Sequence, residues 1–290
     1  MAIRRGNPLQ FVDSHGQPLG GAQSLGRTVK DVAVQRRADE VAAALSPDDV
    51  EQVFDALVIA GWKRGKTAVA MLLRALGFKR EGGRGFGHEE TGAALRRLAE
   101  DGRVVIEREG EGWSVPEALA EQRLPVLLER PEAAHWWRAW VWVANGAYGS
   151  MEGLPRHCDV RNDGEGTALL RLLLVSGIDA QGYSTLANGA LSRINAAGAV
   201  LAALAQLQRA GLFERIDLAL RWGLLASLDA VGMLSREPAL MAWVQAHLDD
   251  APADAATGLR LRVAEQRLQA GDYAGITAAL VQHPVNSCTY

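Results

Sequence analysis

The sequence predicts a mainly α chain. Residues 1–45 form a short arm, 46–120 carry three helices and a β-hairpin, and 121–290 form a long α-helical array. Three observations carry this reading. Ala and Leu dominate and β-branched residues are sparse, which favours helix over strand. Between Ser46 and Asp101, apolar residues recur at three- and four-residue intervals in three successive runs. A single strand–turn–strand pattern follows, and the remainder reads as helix after helix with short connections.

The arm contains "GNPLQFVDSHGQPLGG", rich in turn formers and compatible with a short hairpin, and then "VKDVAVQRRADEVAAAL", which reads as helix. Ser46 opens the next element as an N-cap, with Pro47 at the first helical position and Asp49 at the third, close to a capping box. Val50, Val53, Phe54, Leu57 and Val58 then form one helical face, and the helix should end near Gly61. A second helix is expected from Thr67, read as its N-cap, with Val69, Leu72, Leu73 and Leu76 inward and Gly77 at its end. The loop "FKREGGRGFGH" leads to a third helix whose inner face is Thr91, Ala94, Leu95 and Leu98, stopped by Asp101-Gly102. "RVVIERE", the turn "GEG" and "WSVPE" make the hairpin. This order, and the phrase "GAALRRLAEDGRVVIEREGEGWSVPE", closely resembles the third helix and wing of the winged-helix superfamily. The likeness implies the fold of 46–117 and says little about function. In the array, "LRVAEQRLQAGDYAGITAALVQHP" is similar to a tetratricopeptide helix pair, turned at Gly271-Asp272-Tyr273 and closed by Pro284. The other helical segments have irregular lengths, so no strict repeat is expected.

Bulk properties exclude several classes. The chain has 290 residues, net charge −3 and 48% apolar residues, ordinary for a soluble protein of about two domains. Cys158 and Cys288, its two cysteines, are far apart and read as free thiols in a reducing compartment. The start "MAIRRGNPLQF" lacks the apolar core of a signal peptide. The run 196–205 has roughly half the length needed to cross a bilayer. A cytoplasmic protein with no membrane partner is expected.

"AGWKRGKT", residues 60–67, can be read as a phosphate-binding loop. Such a loop needs a buried strand before it, so that turn amides and the next helix point at phosphate. Here the preceding residues have helical periodicity and their own N-cap. The nearest candidate for a second, magnesium-bearing strand, "LPVLLERPE", fits poorly. The string is therefore read as a turn between two helices, and neither ATPase activity nor a cofactor is expected.

Positive charge concentrates between Gly61 and Arg84: Lys63, Arg64, Lys66, Arg74, Lys79, Arg80 and Arg84, against a single acid, Glu81. Arg96 and Arg97 add to it from the outer face of the third helix, the element that commonly enters the major groove. Lys63, Arg64, Lys66, Lys79, Arg80, Arg84, Arg96 and Arg97 are thus the expected DNA-binding residues, contacting backbone with little base preference. Glu89, Glu90 and the acidic wing "EREGEG" argue the other way, for a domain that touches only protein. Both readings stay open, with a protein partner expected on the helical array.

Other constellations are weak. Trp136, Trp137, Trp140 and Trp142 could stack on bases, but core packing is commoner. His157, Cys158 and Asp159 in "PRHCDVRND" lack a second catalytic or metal-ligand signature, and His15, His88, His135, His247 and His283 are scattered. Asp249, Asp250 and Asp254 read as a solvated loop. No catalytic or metal residue is expected. The wing followed by "VPEALAEQRL", and then an array carrying "LRVAEQRLQAGDY", is similar to the N-terminal accessory region of large bacterial Swi/Snf-type helicases. That resemblance implies a region preceding an ATPase motor, with nucleic acid as the motor's track. The motor's motifs are absent from this chain. The last helix pair runs almost to Tyr290 without a cap, so truncation of a longer protein is also expected.

Overall fold

The computed structural model describes residues 36–37, 39–107, 112–146 and 160–276. It is mainly helical, with one small two-stranded sheet. Residues 39–43 are helical. Next come α1 (Pro47–Ala60), α2 (Lys66–Ala75), α3 (His88–Glu100), β1 (Val105–Glu107) and β2 (Gly112–Ser114). The later helices are α4 (Glu117–Leu128), α5 (Trp136–Ala144), α6 (Asp163–Leu174), α7 (Ala180–Ala190), α8 (Ala196–Arg209), α9 (Leu218–Ala230), α10 (Pro238–His247) and α11 (Ala253–Gln269).

α1 starts as its sequence dictates. The Ser46 hydroxyl accepts the Asp49 N–H, and the Asp49 carboxylate accepts the Ser46 N–H, a complete capping box. The helix stops at Gly61, whose φ of 62° is left-handed and whose N–H donates to the Leu57 carbonyl. α2 begins earlier than Thr67 suggests: Gly65 is the N-cap and makes no side-chain cap bond. The cause is tertiary. Arg64 is held extended by two backbone bonds to Trp113 of β2, 3.0 and 2.9 Å long, so the chain is free to coil only after it. β1 and β2 pair antiparallel, Val105 opposite Ser114 and Glu107 opposite Gly112. The hairpin tip, 108–111, lies outside the described residues.

"LPVLLERPE", weighed as a strand, is the end of α4 and the turn after it. Past α11, Gly271 turns the chain at φ 74° and helix resumes at 273–276. The rest of the expected tetratricopeptide-like pair, with Pro284, lies outside the described residues, as do the His157–Cys158–Asp159 loop and Cys288.

The expected boundary near residue 120 is no gap in the packing. One hydrophobic core runs from Leu45 through Val53, Leu95 and Trp140 to Leu225 and Val263. Polar bonds reinforce the seam. Buried Asp55 on α1 accepts two bonds from Arg123 of α4, at 2.7 and 3.1 Å, and one from Arg130 at 3.2 Å. The Trp140 indole N–H donates to the Ala60 carbonyl at 2.9 Å. Trp136, Trp137 and Trp140 are buried in the core and Trp142 is half-buried, as the packing reading of this cluster requires.

Candidate nucleic-acid interface

α3 exposes one side of its surface because its inner face is fully used. Thr91, Ala94, Leu95 and Leu98 pack against α1 and α2, which leaves Glu89, Gly92, Arg96 and Arg97 outward. Glu89, Gly92 and Arg96 stand on one stripe, at i, i+3 and i+7. That stripe floors a groove of about 650 Å³. Gly65 and Lys66 at the start of α2 border the groove, as do Ile106, Gly112 and Trp113 of the hairpin and Arg37 and Val41 from the chain before α1.

Lys66 and Arg96 are the cations that matter here. Both are exposed, and neither has a hydrogen-bond or ion-pair partner among the described residues. The Lys66 stem lies across Gly92: a Cβ at Gly92 would sit 2.8 Å from Lys66 Cδ. A mid-helix glycine costs about 1 kcal/mol relative to alanine, and here it lets the lysine reach along α3. The first amides of α2 carry the positive end of the helix dipole toward the same groove, since no side chain caps them. Glu89 is the opposing charge, but it accepts a 3.0 Å bond from Arg37, so the pair adds little net field.

The remaining expected site residues divide. Arg97 is exposed on α3 about 100° round from Arg96. Lys79 and Arg84 are exposed on the α2–α3 loop and also lack partners among the described residues. That loop is pinned: the Glu81 N–H donates to Asp49 at 3.0 Å, and Arg80 donates to Glu90 at 3.0 Å and approaches Asp49 at 3.9 Å. Arg80 is therefore a strut, with its charge met internally and only partly exposed. Arg64 is further still from a free cation. Its guanidinium bonds Glu165 of α6 at 2.7 Å and lies 4.9 Å over the Trp140 ring, and both partners of the ion pair are nearly buried. Lys63 is half-buried and has a partner. The reading of all eight as surface cations is corrected to five: Lys66, Lys79, Arg84, Arg96 and Arg97.

Arg37 and Trp113 at the groove were not singled out from the sequence. Gly92, an unforced glycine inside a strong helix, was the one local signal that pointed there.

Among the described residues, no group of three or more His, Cys, Asp or Glu side chains is placed to hold a metal ion, and no helix is long and apolar enough to cross a membrane. No family model matches the chain, and comparisons with curated proteins and with solved structures gave no match either.

Proposed function

We propose that this chain is a non-catalytic module that docks on DNA through a winged helix and on protein through a tetratricopeptide-like array, as an accessory region of a helicase or of a transcription or repair factor. The observation that carries the reading is the convergence of Lys66 and Arg96, both exposed and unpartnered among the described residues, on one groove along α3. The Arg64–Trp113 bridge supports the winged-helix assignment, because it adds a third extended segment to the hairpin and anchors it against the start of α2. Phosphate is the natural occupant: Lys66 and Arg96 are long cationic side chains exposed at the groove, and the α2 amides favour anions. Lys79, Arg84 and Arg97 extend the contact along the backbone.

Protein contact without nucleic acid is the second reading. Val105 and Ile106 on β1 are exposed, as are Leu261, Leu268 and Tyr273 at the far end of the array. Leu261 and Leu268 share one face of α11. Such apolar side chains suit a partner protein and do nothing for phosphate. Fluorescence anisotropy with labelled duplex at two salt concentrations separates the readings. Affinity that collapses at the higher salt supports DNA backbone contact. Absence of binding at low salt, with a partner protein retained through nuclease treatment, supports the scaffold.

A further inference from the structure

Among the described residues, three arginines with little exposure differ in how their charge is met. Arg221, only 4% exposed, has Nη1 on the Glu214 carboxylate and Nη2 on the carbonyls of Glu214 and Ile216, at 2.8 and 2.9 Å. Arg64, nearly buried, has Glu165. Arg171 of α6 is 5% exposed and has no carboxylate partner among the described residues. Its one bond runs from Nη2 to the Val58 carbonyl, 2.8 Å away, and its Nε–H has no acceptor among the described residues. Burial pushes its pKa down to about 10, so it remains protonated at neutral pH. The negative end of the α1 dipole offsets part of the charge. A buried cation without a counter-anion is still unfavourable, because desolvation is not repaid by a partner charge.

Arg171 also lines a cavity of about 410 Å³ between the end of α1, the hairpin, α4, α6 and α8. Gly61 makes room for the guanidinium there, since a Cβ at that position would collide with Nη2. We propose that this cavity binds a small organic monocarboxylate bearing an amino group, with Arg171 as the counter-ion of the carboxylate. A carboxylate is planar and bidentate, the shape a guanidinium matches best. Leu57, Val115 and Ala202 supply apolar wall for a short carbon stem. Glu107, Glu117 and Glu121 outnumber Lys63 on the rest of the lining, which favours an ammonium end and opposes phosphate or a polyanion. Glu117 and Glu121 are already held by Arg209, which leaves Glu107, bonded at 2.9 Å to the Ser114 hydroxyl, as the nearest match for the amine.

The test is thermal unfolding and calorimetric titration of the full chain with 4-aminobutyrate, butyrate and inorganic phosphate at constant ionic strength. 4-Aminobutyrate should raise Tm by about 3 °C at roughly ten times its dissociation constant. Butyrate should do so more weakly, and phosphate not at all. Arg171→Met should abolish the response, but it also removes the donor to Val58 and so can fail to fold. Ala202→Trp fills the cavity from α8 and leaves that bond intact. Gln206→Glu, one turn on, places a competing carboxylate on the half-buried rim. Either variant, checked for unchanged helicity by circular dichroism, should lose the shift. An equal response to phosphate, no response to either carboxylate, or a response that survives both α8 substitutions would overturn the proposal.

Discussion

Lys66→Ala combined with Arg96→Ala removes the two cations that share the α3 groove. Neither side chain has a partner among the described residues, so the double variant should unfold within about 0.5 kcal/mol of the parent. DNA affinity should behave otherwise. Each phosphate neutralised on duplex DNA contributes about −0.9 to the slope of log affinity against log salt. Extrapolated from 1 M to 0.1 M salt, that is about eightfold per contact, and about sixtyfold for two contacts. The slope itself should become shallower by about 1.8. Anisotropy with a labelled duplex across a salt series reads both quantities. Arg209→Ala is the matched control, an exposed cation of α8 whose charge is committed to Glu117 and Glu121. If the double variant kept the parent slope, or if the control lost as much affinity, the groove would not be the DNA site.

Arg64, two residues before Lys66, should show the opposite pattern. Arg64→Met leaves the nearly buried Glu165 carboxylate without its cation and should cost about 3 kcal/mol in urea denaturation. Adding Glu165→Met should recover much of that loss, and if it does not, the pair is not coupled as described. Gly61→Ala forces a left-handed backbone on a residue with a Cβ and drives that atom into Arg171, for a loss of about 3 kcal/mol in the same measurement. The Arg103 guanidinium, bonded to both oxygens of Glu51, holds that carboxyl below its ordinary value of 4.5. A depressed folded-state pKa stabilises at pH values above the ordinary one and is lost as pH falls through the folded value. The stability gap between the parent and Glu51→Gln should therefore be present at neutral pH and close below about pH 4.5, by less than about 1 kcal/mol because the pair is partly exposed. A gap independent of pH would contradict this.

Local signals made α1 legible: the Ser46–Asp49 box and the Gly61–Leu57 stop each act over three or four residues, and Pro47 acts at the first helical position. The start of α2 was misread for the same reason in reverse. Thr67 is a good cap by local rules, but the extended conformation at Arg64 is imposed by Trp113, 49 positions along the chain. The cationic cluster failed in the same way. Arg64 and Arg80 look no different in sequence from Lys66 and Lys79, and what removes them from the surface is Glu165 and the Asp49–Glu90 pair. The tryptophans were legible as core because their apolar neighbours repeat with helical spacing. That Trp140 would also bond the Ala60 carbonyl was not, since the two residues meet only in the fold.

The same carbonyl bears on the string Ala60–Thr67. A phosphate loop gathers amide N–H groups at the start of a helix, the positive end of its dipole. At Ala60 and Gly61 the chain does the reverse: it is the end of α1, where carbonyl oxygens point outward and the dipole is negative. The donors already gathered there confirm the polarity, with the Gly61 N–H on Leu57, Arg171 on Val58 and the Trp140 indole on Ala60. A triphosphate laid against the first half of the string would meet oxygens, with Trp62 over Gly164 closing the approach from α6. Gly65 and Lys66 do start a helix, but they open toward the α3 groove, which is bordered by Arg37, Arg96, Ile106 and Trp113 and not by the carbonyl end of α1. Calorimetry with ATP and magnesium should give no saturable heat, while duplex DNA at low salt should. Saturable ATP binding abolished by Lys66→Ala would reverse the assignment and make this string a nucleotide site after all.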